Sequence, residues 1–385
     1  MAILDTALDP RAPSYLQNRS ATHAALSRLD AAHAQAREGG GEREVTRHHA
    51  RGKLLPRERI ELLVDRDTAL LELAATAGHL SGEPAGAGLV TAIGVIHQAE
   101  CMIVANDPTV RGSGLSELAA RKAARAVELA RLHGLPLVFL WESSVDAREA
   151  VALAKTPVLV AIFGANEEPL PLADHRIAVR GHGAIAAVDA LAEDERDALR
   201  LMRWAVRHLV VRDSMSIPWP RAAAPRHDAD DLLAMGRFDV REVLARVLDG
   251  SDFDELRPHR GPDIIAGFGA VHSRRTAILA NCSEALESES INKGLELVRL
   301  ASLAGLPLLV LANASSSAEL ARALSVAPQV TVLLGADPPD WALTGRGFRF
   351  GWPSVASFSD VWCDGVIDPR DTRTVVGICF SVMVR

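Results

Sequence analysis

The sequence has few aromatic residues, few cysteines and no long apolar segment. Aromatic side chains make up 4% of the 385 residues, with a single tyrosine, which argues against a platform that stacks nucleic-acid bases. The four cysteines form no C-x-x-C pair, so neither a disulfide framework nor a zinc cluster is predicted. No apolar run reaches the roughly 18 residues of a membrane helix, and the N-terminus lacks a basic start followed by an apolar stretch. We therefore expect a cytoplasmic protein without membrane contacts.

The composition that remains is that of a globular protein with room for two cores. Hydrophobic residues account for 48% and charged residues for 24%, and 42 Lys+Arg against 49 Asp+Glu give a net charge of −7. This acidic balance makes nucleic acid an unexpected partner. The length exceeds that of an ordinary single domain, which favours two core-forming units or one duplicated unit.

An internal duplication accounts for the length. Ala105-Asn106 returns as Ala280-Asn281, 175 positions later, and other short segments return at spacings of 171 to 175. The recurring pairs are Gly94–His97 with Gly269–His272, Gly134–Leu137 with Gly305–Leu308, and Val158–Ala165 with Val330–Ala336. The two halves of the chain therefore share one plan.

Each half is predicted to run strand, strand, long helix, strand, helix, strand. Short apolar runs rich in branched residues indicate buried strands. In the first half these runs are residues 92–97, 101–105, 137–141 and 158–163. Ser116 can cap the long helix and Gly134 can end it, as Gly305 can in the second half. This alternation predicts the α/β class.

The predicted domain organisation follows from these patterns. Residues 1–41 form an N-terminal helical extension, 42–212 the N-terminal half, 213–236 a proline-containing connector and 237–385 the C-terminal half.

Three long segments resemble a known family. Arg47–Asp65 opens the first half with the run Ala-Arg-Gly-Lys-Leu-Leu-Pro-Arg-Glu-Arg, Asp239–Glu255 opens the second, and Asp364–Arg373 closes the chain. Together with Val104–Gly112, they resemble in sequence and order the carboxyltransferase (β) subunits of biotin-dependent acyl-CoA carboxylases, of the acetyl-, propionyl- and methylcrotonyl-CoA type. The resemblance covers nearly the whole chain from residue 45.

The resemblance implies two tandem crotonase-like halves, each a ββα superhelix. It implies transfer of a carboxyl group from biotin, carried on another protein, to the α-carbon of an acyl-CoA bound in the first half, with biotin reaching the second half. It also implies biotin carboxylase and biotin carrier partners and a hexamer-like homo- or hetero-oligomer of β subunits. No covalently bound cofactor and no metal site are expected.

The reaction forms an enolate, so its site needs backbone N–H donors aimed at each developing oxyanion. The resemblance puts these donors at Gly164 and Ala165 in the first half and at Gly335 and Ala336 in the second. Flexible cations suit phosphate oxygens, and the candidates for binding the phosphates of coenzyme A are Arg51, Lys53, Arg111 and Lys122, together with Arg57 and Arg59 of the opening segment. The alternative for the Arg57-Glu58-Arg59 segment is a solvated helix face or a subunit contact.

The two oxyanion loops depart from the pattern that the resemblance implies, a Gly-Gly-Ala-Tyr type loop in the first half and a Gly-rich loop containing Gly-Ala-Gly-Asn-Tyr in the second. Residues 164–171 read Gly-Ala-Asn-Glu-Glu-Pro-Leu-Pro, and residues 335–341 read Gly-Ala-Asp-Pro-Pro-Asp-Trp. Proline has no N–H to donate. A carboxylate about 4 Å from the enolate would oppose it by roughly 4 kcal/mol at an effective dielectric near 20, and losing one oxyanion donor typically costs about 10²- to 10³-fold in rate.

We therefore predict that carboxyl transfer is lost or altered. One alternative is a catalytically inactive partner, or an acyl-CoA-binding pseudoenzyme, that assembles with an intact β subunit. Another is a repurposed acyl-CoA decarboxylase, hydrolase or isomerase, which needs at least one oxyanion hole.

Overall fold

The computed structural model describes residues 2–79, 82–110, 116–142, 156–164, 173–181, 188–210, 222–236, 239–313, 317–334, 346–353 and 363–383. The chain divides into two compact units. The first-half unit is Ala31–Ser214 with Ser359–Val361, and the second-half unit is Met1–Asp30, Met215–Phe358 and Trp362–Arg385. The boundaries predicted from the sequence at residues 41, 212 and 236 remain predictions.

The N-terminal region is largely helical. After strand β1 (Ala2–Ile3) come helices α1 (Pro13–Arg37), α2 (Glu42–His49) and α3 (Pro56–Leu63). In the second-half unit, Leu26 and Leu29 of α1 pack on Leu233. Helix α3 has a proline in its first turn, where no N–H is needed, and Glu58 accepts the amide hydrogen of Leu55 at 2.7 Å.

The first-half unit contains a seven-stranded sheet in the order β2-β3-β4-β5-β6-β7-β8. Strands β2 to β4 pair antiparallel, and β4 to β8 pair parallel. The strands are β2 (Leu71–Leu73), β3 (Leu89–Ile96), β4 (Ala99–Asn106), β5 (Leu137–Trp141), β6 (Val158–Ile162), β7 (His175–Val179) and β8 (Ala190–Ala192). Helix α4 (Glu117–His133) joins β4 to β5, and helix α5 (Glu195–Leu209) follows β8.

The second-half unit repeats this plan. Its eight-stranded sheet has the order β1-β9-β10-β11-β12-β13-β14-β15, antiparallel from β1 to β11 and parallel from β11 to β15. The strands are β9 (Asp252–Glu255), β10 (Ile264–Val271), β11 (Arg274–Asn281), β12 (Leu308–Ala312), β13 (Pro328–Leu333), β14 (Arg346–Gly351) and β15 (Gly365–Val366). The helices are α6 (Val240–Val247), α7 (Ser288–Ala304), α8 (Ala318–Leu324) and α9 (Thr372–Met383).

The predicted element order is therefore confirmed in the second half, including the helix α8 between β12 and β13. The corresponding helix predicted for the first half, between β5 and β6, would lie in residues 143–155, which are outside the described residues.

Local chemistry sets the ends of the long helices. The Ser116 hydroxyl oxygen accepts the amide hydrogen of Ala119 at 3.1 Å, and Gly134 closes α4 at φ 64°. Gly305 closes α7 at φ 63°, in the left-handed region that glycine adopts without strain. Both glycines act as their sequence positions predict.

Each half also has the same hairpin. His97 and Gln98 join β3 to β4 with φ 50° and 63°, and their amides donate to Asp65 at 2.9 and 2.6 Å. In the second half, the amides of His272 and Ser273 donate to Asp249 at 3.0 and 2.6 Å. Two positive φ angles are typical of the tight hairpin turn that matches strand twist.

The first-half core lies between the sheet and helices α3 and α5. Ile60 and Leu63 of α3 and Met202 of α5 belong to one buried cluster with residues of the central strands.

None of the helices described is both long and apolar enough to cross a membrane. The four cysteines are free thiols, and three of them are buried.

Candidate functional site

The carboxyl ends of β4, β5 and β6 are tied together at one edge of the first-half sheet. The side-chain oxygen Oδ1 of Asn106 accepts the amide hydrogen of Glu142 at 2.8 Å, and the Phe163 amide donates to the Trp141 carbonyl at 2.7 Å. Gly164 comes next, and a Cβ there would lie 2.0 Å from the Glu142 carbonyl oxygen. Only glycine fits this approach, so the backbone that leads into the predicted first-half oxyanion loop is closely packed.

The second half has the same connections at the equivalent positions. Asn281 Oδ1 accepts the amide hydrogen of Asn313 at 2.7 Å, and the Leu334 amide donates to the Ala312 carbonyl at 2.9 Å. The duplication therefore extends to the hydrogen bonds at the strand ends. The side chain that follows the third strand of the repeat differs, because Glu142 in the first half corresponds to Asn313 in the second.

Glu142 is the centre of a buried ion cluster. Its carboxylate pairs with the Lys53 ammonium, and His48 Nε2 lies 3.6 Å from Glu142 Oε2. Lys53 Nζ also donates to the Phe163 carbonyl at 3.0 Å. One lysine therefore joins the loop before α3 to the ends of both β5 and β6.

Arg59 completes the cluster from helix α3. Its Nη2 donates to Glu142 at 2.5 Å, and its Nε and Nη2 form a two-pronged pair with Glu195 at 2.9 and 2.8 Å. The guanidinium also lies over the Phe163 ring, 4.3 Å from its centroid, a cation–π geometry. The Arg59 side chain is completely buried. The solvated-face alternative is therefore wrong for Arg59, whose neighbours are carboxylates and an aromatic ring.

The electrostatics keep Glu142 ionised. Burial alone raises the pKa of this carboxyl, but the charges and hydrogen bonds of Arg59 and Lys53 outweigh burial and hold its pKa below the ordinary value. A carboxylate in this state accepts hydrogen bonds and does not serve as a proton donor near neutral pH. The arrangement can fix the backbone around it and does not form an acid–base site.

Lys122 lies in a different environment from Lys53. Its ammonium donates to the carbonyls of Gly86 and Leu89 at 3.2 and 2.6 Å, and the side chain is buried. Burial lowers the pKa of Lys122 to about 8, an effect that nearby Glu72 opposes and Arg57 reinforces. The described contacts of Lys122 thus hold the segment before β3.

The remaining predicted site residues are distributed as follows. Arg51 is exposed, in the turn after α2. Arg57 pairs with Glu72 at 2.7 Å. Gly164 adjoins the ion cluster. Arg111, Ala165, Gly335 and Ala336 lie outside the described residues.

The sequence does not predict the roles of three residues of this region: Asn106 as a side-chain acceptor, Glu142 and Glu195. A signal exists for Glu142, because a charged residue directly follows the buried apolar strand β5. Glu195 carries no such signal, since acidic residues are ordinary in the first turn of a helix. Within the described part of the chain, no group of three or more His, Cys, Asp or Glu side chains could hold a metal ion.

The repeated sheets, hairpins and helices define the class as a duplicated crotonase-like protein. Residues 47–169 and 173–316 match the family described as "Carboxyl transferase domain". The chain therefore belongs to the carboxyl transferase domain family, and its resemblance to acyl-CoA carboxylase β subunits is confirmed.

Relatives match the chain over almost its full length. It is 30% identical to a Mycobacterium tuberculosis protein named "Probable biotin-dependent acyl-coenzyme A carboxylase beta2 subunit", covering 99% of this chain and 97% of the relative. It is 27% identical to the mitochondrial methylcrotonoyl-CoA carboxylase beta chain of Arabidopsis thaliana, covering 99% and 89%. The first alignment runs over 514 positions and this chain has 385 residues, so at least 129 aligned positions have no residue in this chain.

A solved structure shares the fold. The beta subunit of P. aeruginosa geranyl-CoA carboxylase superposes with a TM-score of 0.84 at 20% identity, covering 99% of this chain and 96% of that one. At this identity the likeness establishes the fold alone.

Proposed function

We propose that the chain is a carboxyltransferase-type subunit of a biotin-dependent acyl-CoA carboxylase system, in which direct carboxyl transfer is lost or altered. The first half serves acyl-CoA, and the second half receives biotin from a carrier protein. The family membership and the names of the relatives support this assignment. The four free thiols agree with a reducing compartment, and we place the protein in the cytoplasm.

One contrast carries the proposal of lost or altered transfer. The strand ends that support the two oxyanion loops keep the same hydrogen bonds in both halves, at Asn106–Glu142 and Asn281–Asn313. The sequences after Gly164 and Gly335 nevertheless contain prolines and carboxylates in place of the family's glycines. The support for the loops is thus retained, while two prolines in each loop lack an N–H to donate and the acidic residues oppose an enolate.

The residues of this chain suit binding and orientation better than proton transfer. Exposed Arg51 is free of the ion cluster and can meet a phosphate of coenzyme A. Glu142 is held ionised by Arg59 and Lys53, so it has no proton to give. Any carboxyl transfer that remains would rest on backbone groups near Gly164, Ala165, Gly335 and Ala336.

The alternative is an inactive partner that assembles with an intact β subunit into a hexamer-like oligomer. The presence of the family fold in both halves favours it, because assembly depends on folded units and does not depend on the chemistry of the oxyanion loops. Native mass spectrometry of the chain mixed with an intact β subunit tests this alternative. Mixed oligomers support it, whereas separate oligomers of each chain contradict it.

The main proposal is tested by carboxylated acyl-CoA formation with this chain as the sole carboxyltransferase subunit, together with equilibrium binding of acyl-CoA. Binding without product fits loss of transfer, and binding with an unusual product fits alteration. The absence of both acyl-CoA binding and product would contradict an acyl-CoA role for the first half. Ordinary turnover contradicts the loss.

A further inference from the structure

The two halves share one backbone hydrogen bond at the end of the third strand of the repeat but differ in the side-chain contacts around it. Glu142 and Asn313 are equivalent, and each donates its amide hydrogen to an asparagine side chain on the preceding strand. In the second half, the Asn313 side chain donates to the Asn281 carbonyl at 3.3 Å. In the first half, the Glu142 side chain instead collects two cations, Lys53 and Arg59. The ion cluster is therefore an addition to a shared framework.

Lys53 belongs to the ion cluster and already has two hydrogen-bond acceptors. Its ammonium has three hydrogens to donate, of which one goes to the Glu142 carboxylate and one to the Phe163 carbonyl. The side chain is only 16% exposed. A coenzyme A phosphate that drew Lys53 away from Glu142 would leave a buried carboxylate without one of its cations, a costly rearrangement.

Arg59 holds the same residue through its side chain. Lys53 binds the Phe163 backbone, while the Arg59 guanidinium covers the Phe163 ring at 4.3 Å. Arg59 is itself fixed by Glu142 and by the two-pronged pair with Glu195 at the start of α5. Phe163 is thus held on its carbonyl and on its ring, one residue before Gly164.

We propose that Lys53, Arg59 and Glu142 are positioning residues that fix Phe163 and Gly164 at the start of the first-half loop, and that Lys53 is not a ligand of coenzyme A phosphate. The inference rests on the proposed function only in taking the first half as the acyl-CoA side. We call the four residues Lys53, Arg59, Glu142 and Glu195 the ion lock.

Hydrogen–deuterium exchange of the free protein tests the ion lock without substrate. The reporter is the Phe163 amide, which donates to Trp141, and the internal reference is the equivalent Leu334 amide, which donates to Ala312. We expect Lys53→Met and Glu142→Gln to raise the exchange rate of Phe163 by about tenfold or more and to leave Leu334 unchanged, because local openings set such rates.

Lys122→Met is the matched control. It is the same substitution of a buried lysine in the same unit, but its partners are the Gly86 and Leu89 carbonyls. It should not change the exchange of Phe163 relative to the amides of β4. Equal acceleration by Lys53→Met and Lys122→Met, or no acceleration by Lys53→Met, overturns the ion lock. If a variant does not fold, the unmodified protein still decides: Phe163 should be more protected than Leu334, and equal or lower protection overturns the inference.

A binding comparison separates positioning from phosphate contact. A phosphate ligand contributes to the affinity for acyl-CoA but not for acyl-pantetheine, which lacks the nucleotide phosphates. A positioning residue affects both. We expect Lys53→Met to weaken both by the same factor, about tenfold or more. Weakening of acyl-CoA alone makes Lys53 a phosphate ligand and overturns the inference. If neither compound binds the unmodified protein, the proposed function fails, and the exchange experiment still decides on the ion lock.

Discussion

Asn106 and Glu142 join two neighbouring strands at the site edge: the Asn106 side chain accepts the Glu142 amide hydrogen at 2.8 Å. The pair recurs as Asn281 and Asn313 at 2.7 Å. All three asparagines are completely or almost completely buried. Retention of this contact in both copies of the repeat indicates that it belongs to the scaffold and not to a chemistry specific to one half.

Asn106→Ala should therefore destabilise the first-half unit. It leaves the buried amide of Glu142 without its acceptor, at a cost of about 1–3 kcal/mol in the free energy of unfolding. Asn281→Ala should cost a similar amount in the second-half unit. Urea unfolding measures both. Asn292→Ala, at an exposed position of α7, is the control and should change the value by less than about 0.5 kcal/mol. Equal effects at all three positions would argue against the shared scaffold contact.

Glu142→Gln should destabilise the protein in a pH-dependent way. The folded state lowers the pKa of Glu142 below its ordinary 4.5, so the stability it provides is present above pH 4.5 and is lost as the pH falls through the folded pKa. We expect a loss of roughly 3–5 kcal/mol at pH 7, because the buried Arg59 and the partly buried Lys53 lose a partner. The difference from the unmodified protein should shrink below pH 4.5.

The measurement for Glu142 is urea unfolding at several pH values. Glu61→Gln, which removes the same charge from an exposed position on α3, serves as the control and should have little effect at any pH. A Glu142→Gln penalty that stays constant as the pH falls would mean that the carboxylate charge is not what stabilises the site.

Lys122 should give a stability gain on the alkaline side. Its pKa is about 8 in the folded protein against an ordinary 10.5, so the unfolded chain binds more protons between these values and stability rises with pH there. The gain is about 3 kcal/mol at 1.36 kcal/mol per pKa unit. Lys122→Met should lose this rise, whereas Arg121→Met, at an exposed position on α4, should keep it. Parallel stability curves for all three proteins between pH 8 and 10.5 would contradict the shifted pKa.

The sequence predicts the parts of the fold that depend on local chemistry. Buried apolar runs gave strands β5 and β6 at the expected positions, and Ser116 and Gly134 begin and end α4 as their side chains and backbone freedom predict. The duplication is also visible in the sequence, because Ala105-Asn106 recurs as Ala280-Asn281. In the structure, both asparagines end a strand and accept an amide hydrogen from the end of the neighbouring strand.

The ion lock could not be predicted in the same way. Arg59 stands in a charged segment typical of an exposed helix, and its partners Glu142 and Glu195 are 83 and 136 residues away. Only the packing of α3 and α5 on the sheet brings them together. A long-range contact of this kind leaves no periodic or spacing signal in the sequence, so the contacts of Lys53 with Glu142 and Phe163 are visible only in the structure.

Carboxyl transfer by this chain can be measured with a single reconstituted assay. The purified chain is incubated with biotin carboxylase, biotinylated carrier protein, ATP, labelled bicarbonate and a series of acyl-CoAs, and labelled carboxyacyl-CoA is measured. An intact β subunit in the same mixture confirms that carboxybiotin is formed. We expect this chain alone to form no labelled product from the acyl-CoAs that the intact subunit carboxylates. Product at a rate comparable to that of the intact subunit would contradict it.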